Sequence, residues 1–315
     1  MSLKVLVVCS GNAPDFEFSR HQAFIYDQIE AIKKQFEEID FDTFFIRGRG
    51  IGGYLKQKSN LIERLKSNDF DCIHAHVAQS GLLANLQRRV PVITTFHGSD
   101  INVIRNRLIS LATSFLSKKS IYVSENLRSK AIYTSKKNSL VIPCGVDLDL
   151  FKPIEKKEAK RVLNLKLSKK YILFSSAFKV KVKNSPLAEK ALRLLNQKNI
   201  ELLELKGYDR YEVSCLFSAV EVALMTSFSE GSPQFIKEAM ACNCPIVSTN
   251  VGDVKEVIRN TDGCYITGFD PKEIADALEN ILSSGKRTNG RDFIHLFDNR
   301  KIAQMIMNVY KSTVS

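Results

Sequence analysis

Ser229-Glu230-Gly231-Ser232-Pro233-Gln234-Phe235-Ile236-Lys237-Glu238-Ala239-Met240-Ala241 decides the fold of this chain. The apolar run at 220–225 before it reads as a buried strand, and 245–248 after it as another. Between them the chain makes a glycine turn, and Ser232 and Pro233 open a helix in the N-cap and first helical positions. Strand, turn, helix, strand is the unit of a parallel sheet covered by helices. A helix start of this kind offers unpaired backbone N–H groups and a positive dipole end, which suit phosphate. Glu230 lies in the loop and Glu238 about two turns into the helix. Solvated surface charge is the ordinary reading of a glutamate. The turn chemistry here predicts instead that one carboxylate reaches a transferred group while the other accepts from a ribose diol.

The same alternation extends in both directions. Strands are expected at 5–9, 43–46, 72–76, 92–96, 121–124 and 140–143, then at 171–174, 200–205, 220–225, 245–248 and 264–267. The wholly apolar Val5-Leu6-Val7-Val8 implies a strand covered on both faces. Ile25, Ile29, Ile32 and Phe36 share one face of an early helix. Leu187, Ala191 and Leu195 do so in a helix expected over 185–196. Asp270 is expected to cap a further helix, with Pro271 at its first position and Glu273 completing a capping box. The polar, lysine-rich segment 147–170 marks the domain boundary. The expected fold class is α/β, with two Rossmann-like doubly wound domains facing across a cleft. Their expected ranges are 1–150 and 151–297, followed by a last helix at about 298–315. Ligands belong at the carboxyl ends of the strands.

Composition narrows the function. The 315 residues are 44% hydrophobic and 25% charged, an ordinary globular balance. The opening apolar run is too short for a signal peptide, and no stretch approaches the length of a membrane-spanning helix. Seven cysteines without metal-ligand spacing read as buried thiols of a reducing cytoplasm. The net charge of +12 suits nucleic acid, anionic lipid or a negatively charged substrate. No aromatic-interleaved basic motif or zinc finger accompanies it, so no nucleic-acid partner is expected. A cytoplasmic enzyme resting on the anionic inner face of a membrane fits the charge.

Glu230 and Glu238, followed by Ala239-Met240-Ala241 and Cys244-Pro245-Ile246-Val247, resemble the donor-site signature of glycosyltransferase family four. Val141-Ile142-Pro143-Cys144-Gly145-Val146-Asp147 is similar to that family's interdomain segment, with Cys144 in place of the usual Asn. Phe96-His97-Gly98-Ser99-Asp100 resembles its His-Gly motif. Ile73-His74-Ala75-His76 and Val123-Ser124-Glu125 also match, in the family's order. The resemblance implies the GT-B fold, with the last helix at about 298–315 packing back onto the first domain, a nucleotide-sugar donor bound by the second domain, and a glycan or lipid-linked acceptor bound by the first. By that resemblance Glu238 holds ribose hydroxyls and Glu230 those of the donor sugar. Gly231, Ser232, Pro233 and Gln234 lie beside that sugar, and His97 faces it. Lys183 fits the family's phosphate lysine. The family's arginine has no counterpart in 175–184, so Lys179 or Lys181 supplies that charge without the planar fork. Tyr208 is expected near the nucleotide base and Gly11 near the donor. Asn12, His76 and Asp100 fall on the acceptor side. No metal and no cofactor beyond the donor is implied.

The resemblance implies retention at the anomeric carbon, in a role in bacterial surface polysaccharide synthesis, with UDP the commoner nucleotide. A nucleotide-sugar epimerase of the same fold would carry more carboxylates and histidines around the sugar. A dinucleotide-dependent dehydrogenase would need Gly-x-Gly-x-x-Gly after Val8, which is absent. A basic, non-enzymatic binder of nucleic acid or membrane would explain the charge but not the paired glutamates.

Overall fold

A computed structural model describes residues 2–197, 199–259 and 261–314. The chain divides into unit 1, Met1–Gly145 with Asn299–Ser315, and unit 2, Val146–Asp298. Unit 1 holds β1 (Leu3–Ser10), β2 (Ile39–Ile46), β3 (Cys72–His76), β4 (Val92–Phe96), β5 (Lys119–Tyr122) and β6 (Ser139–Val141). They form one parallel sheet in the order β2-β1-β3-β4-β5-β6. Unit 2 holds β7 (Lys170–Phe174), β8 (Ile200–Glu204), β9 (Val222–Met225), β10 (Ile246–Thr249) and β11 (Cys264–Thr267). These pair in parallel in the order β11-β10-β9-β7-β8. Both halves are therefore α/β and doubly wound. Each sheet reverses its strand order once, between β1 and β3 and between β7 and β9. In open α/β sheets such reversals are where ligands bind, outside the carboxyl ends of the strands.

Strand β1 shows why the first sheet is covered twice. Val5, Val7 and Cys9 pack with Ile25, Ile29 and Ile32 of helix Ala23–Gln35. Leu6 and Val8 point the other way, into Leu61, Leu65 and Leu83. Each such side chain, fully buried, stabilises by about 1.5–3 kcal/mol. The last helix, Asn299–Val314, lays Ile302, Ile306 and Tyr310 into the first of these clusters.

Several local expectations shift. The units part between Gly145 and Val146, not after 150, because Val146, Leu148 and Phe151 sink into the core of unit 2. The expected helix over 185–196 ends at Arg193. Helix Gln234–Ala241 takes Pro233 as its N-cap, one position later than expected, because the Ser232 hydroxyl is bonded elsewhere. Glu238 is then the fifth helical residue, little more than one turn in. Asp270 does cap helix Pro271–Ser284. Glu273, however, reaches past the cap to accept from the Gly268 N–H at 2.8 Å, so no capping box closes there. Among the described residues no helix is long and apolar enough to cross a membrane.

Candidate active site

In unit 2 the loops after β7 and β9 flank the switch point. Thr226, just past β9, donates its hydroxyl to the carbonyls of Lys183 and Asn184 at 3.0 and 2.9 Å. The Phe228 N–H donates to the Val182 carbonyl at 2.9 Å. These bonds fix the loop after β7 beside the loop that carries Glu230. Lys183 Nζ accordingly lies 2.6 Å from Glu230 Oε1, in an ion pair largely shielded from water. The lysine and the glutamate read independently from sequence are partners. Lys179 and Lys181 sit on the same excursion with exposed side chains.

Behind Glu230 the loop is backed by polar groups. Lys237 Nζ donates to Ser232 Oγ, which donates to Asp253 Oδ2, each at 2.5 Å. All three side chains are buried. Burial raises the carboxyl pKa of Asp253, and the Lys237 charge opposes that rise. Asp253 Oδ1 is buried with no hydrogen-bond partner among the described residues. Gly252, at φ +61°, passes so close that a Cβ there would stand 2.8 Å from the Gly231 carbonyl oxygen. Pro233 is buried and Gln234 half-buried at the helix start.

Glu238 is almost wholly buried, and Oε1 accepts from Arg210 Nη1 at 2.9 Å. The arginine lies over the Phe151 ring, 4.7 Å from its centroid. It is placed by a turn at Gly207, φ +87°, and by a capping box in which Asp209 and Glu212 satisfy each other's backbone N–H groups. Tyr208, in that turn, packs half-buried against the unit 2 core. Arg210 was missed from sequence. The signal was present, since Asp209-Arg210-Tyr211-Glu212 spells a helix start immediately beyond β8.

In unit 1 the loop after β1 is closely packed. Gly11 is needed because a Cβ would stand 2.8 Å from Phe45 Cβ. The Asn12 amide donates to the Gly48 carbonyl and accepts from the Gly48 N–H, both at 2.7 Å. It clasps two loops together.

On β3, His74 and His76 do share a face, with ring centroids 4.4 Å apart. The His74 ring contacts the Tyr310 hydroxyl through Nδ1 and the Thr95 hydroxyl through Nε2, both at 2.7 Å. His76 Nδ1 lies 3.0 Å from His97 Nε2, and His97 Nδ1 faces Cys144 Sγ at 3.9 Å. Burial lowers the pKa of His74 to about 3 and that of His76 well below its ordinary value, so both are neutral. Val77 follows at φ +68°, a strained backbone for a β-branched residue. After β4, the His97 N–H donates to Asp100 Oδ2 at 2.9 Å. Burial raises the Asp100 carboxyl to about 6. Asn12, His76 and Asp100 thus hold loops and the His97 ring from within, and His76 and Asp100 are buried. Cys144 beside His97 and Tyr310 beside His74 had no local sequence signal. Among the described residues no group of three or more His, Cys, Asp or Glu is disposed to hold a metal.

Comparison with known proteins is consistent across both units. A family model described as "Glycosyltransferase Family 4" matches residues 3–150, and one described as "Glycosyl transferases group 1" matches 170–284. A Bacillus subtilis glycosyltransferase assigned to teichuronic acid biosynthesis is 24% identical over 253 residues. That match takes in 70% of this chain and 64% of the relative, under two thirds of its length. An Escherichia coli enzyme, UDP-Gal:alpha-D-GlcNAc-diphosphoundecaprenol alpha-1,3-galactosyltransferase, is 25% identical across 82% of this chain and 81% of its own. The crystal structure of Anabaena Alr3699/HepE in complex with UDP-glucose superposes with a TM-score of 0.78 at 14% identity. It covers 98% of this chain and all of that one.

Proposed function

We propose, because the chain belongs to glycosyltransferase family four and has the GT-B fold, that it moves a hexosyl unit from a nucleoside-diphosphate sugar to a glycan or lipid-linked acceptor. UDP stands ahead of GDP as the nucleotide. The observation that carries this reading is in unit 2. The Lys183–Glu230 pair, on the segments after β7 and β9, and the Arg210–Glu238 pair, on the helices that follow β8 and β9, both belong to connections leaving the carboxyl end of one parallel sheet. That end of such a sheet suits a nucleotide. Glu238 accepts from the ribose hydroxyls, and Arg210 holds that carboxylate in place. Glu230 accepts from the sugar, while Lys183 turns its charge to the diphosphate. Tyr208 lies toward the base, and Gly231, Ser232, Pro233 and Gln234 line the sugar. The named activity of the E. coli relative and the UDP-glucose bound by the Anabaena neighbour support a UDP-sugar donor.

In the transfer, the bond from the anomeric carbon to the diphosphate breaks and a bond to the acceptor oxygen forms on the same face. The acceptor proton passes to the departing phosphate. Charge grows on that phosphate, and Lys183, with Lys179 or Lys181, stabilises it by position alone, without a metal. Unit 1 contributes His97 and the acceptor-side groups: Gly11 and Asn12 hold its first loop, and His76 and Asp100 hold His97. Seven cysteine thiols suit a reducing cytoplasm. The inner membrane face and bacterial surface polysaccharide complete the reading.

The deciding experiment is thermal stabilisation by a panel of nucleotides and nucleotide sugars, with Glu238→Ala in parallel. A diphosphate nucleotide at about 100 times its Kd stabilises by about 2.7 kcal/mol. The shift is expected with UDP and UDP-sugars and lost in the variant. No shift with any nucleotide would overturn the reading. An inverted product anomer, seen by NMR, would overturn the same-face step.

A further inference from the structure

Helix Arg107–Leu116 of unit 1 turns hydroxyls inward and leaves two large apolar side chains outward, while Ile109 packs on the core. Its buried residues are Ser110, Thr113 and Ser114, while Leu108 is 71% and Phe115 73% exposed. The inward hydroxyls are satisfied: Ser110 donates to the Asp100 carbonyl at 2.8 Å, Thr113 to the Ala78 carbonyl at 2.9 Å, and Ser114 meets the Tyr122 hydroxyl at 3.1 Å. Small residues are required there because the neighbouring helix Ala78–Asn85 approaches closely. A Cβ at Gly81 would stand 2.5 Å from Thr113 Cγ2. Close packing explains the polar inner face but not the apolar outer one.

The apolar stripe is continuous with its surroundings. Ile104, 78% exposed, precedes the helix just after the loop that carries His97 and Asp100. At the far end the Phe115 ring meets Tyr133 at 6.3 Å, and Ile132 beside it is exposed. Around the stripe the charge has one sign. Residues 101–140 contain eight lysines and arginines against one acidic residue, Glu125, which is paired with Arg128. Arg105, Lys118, Lys130, Lys136 and Lys137 are exposed.

We infer that this face docks on an anionic lipid bilayer, with Ile104, Leu108 and Phe115 entering the headgroup boundary and the basic side chains meeting the phosphates. An apolar helix face rimmed by cations has this chemistry, whereas a second copy of the same face would bring like charges together. The inference takes its purpose from the proposed lipid-linked acceptor, which would reach unit 1 beside the His97 loop.

The test exploits a chain without tryptophan. Phe115→Trp reports its own environment, and the intact protein is mixed with vesicles of phosphatidylcholine alone or with phosphatidylglycerol. Emission is expected to shift to the blue, and the protein to sediment, only with the anionic vesicles. Leu108→Glu should weaken binding by at least about tenfold, and high salt should weaken it similarly. Lys136→Glu with Lys137→Glu should do the same through charge alone. An unchanged spectrum and an unbound protein at low salt would overturn the inference. So would a dimer in solution that Leu108→Glu dissociates. Transfer to a water-soluble acceptor is assayed in parallel: transfer without vesicle binding removes the surface and leaves the function, and vesicle binding without transfer does the reverse.

Discussion

Arg210 and Glu238 show how one pair can organise a residue proposed to bind the nucleotide. The carboxylate is almost completely buried, and removing the partner of a buried charge is strongly destabilising. Arg210→Ala removes the partner and leaves the fold of the sheet untouched. Nucleotide affinity is expected to fall about tenfold to a hundredfold by calorimetry, since truncating one member of a buried charge pair costs about 2–5 kcal/mol, part of it in unit 2 stability. Arg210→Lys should recover only part, because the ammonium cannot reproduce the guanidinium's stacking on Phe151. Affinity unchanged in Arg210→Ala would remove Glu238 from the ribose site. At this scale the catalytic expectation is His97→Ala: turnover falls sharply while the UDP binding proposed for unit 2 is retained.

The element that matters most is the segment from β9 to helix Gln234–Ala241. It was readable from sequence because strand, glycine turn and apolar helix face lie in order over a few residues. Its exact start was not readable. Ser232 would cap the helix if its hydroxyl were unclaimed, but Asp253 and Lys237 claim it, and Asp253 comes from a different loop. Gly252 in that loop presses on the Gly231 carbonyl at positive φ. Gly252→Ala would force the sugar-side loop to move and add strain of about 1–3 kcal/mol. Affinity for the nucleotide sugar is expected to drop more than affinity for the bare nucleotide, as measured by competition. Equal losses would show that Gly252 supports the unit as a whole and not the sugar end.

For the molecule as a whole, the buried histidines make unit 1 sensitive to acid. In the folded chain His74 titrates near 3 and His76 well below its ordinary value, whereas in the unfolded chain both take protons below about 6.5. The unfolded state therefore binds more protons, and stability falls as pH drops from about 6.5 towards 3, by about 1.4 kcal/mol per pH unit for each histidine. Asp100 acts oppositely. Its folded value is about 6 against an ordinary 3.8, so folding takes up a proton in that window and offsets one histidine. Thermal melts between pH 7.5 and 4.5 should show a net loss equivalent to about one histidine. Asp100→Asn should steepen it. A melting temperature that rises on acidification would contradict the neutral assignment of these rings.

The sequence alone determined that both halves are parallel α/β units, because strand and helix periodicities are local and the buried runs are apolar throughout. It also singled out Lys183, Glu230, Glu238 and His97 as candidates, from the short motifs in which they stand. The tertiary structure decided which of these groups are partners. Lys183 meets Glu230, Arg210 meets Glu238, Cys144 lies beside His97, and Tyr310 closes the histidine row from the far end of the chain. It also turned the hydroxyls of helix Arg107–Leu116 inward and Leu108 and Phe115 outward. Those outcomes depend on distances between segments remote in sequence, and local periodicity carries no information about them.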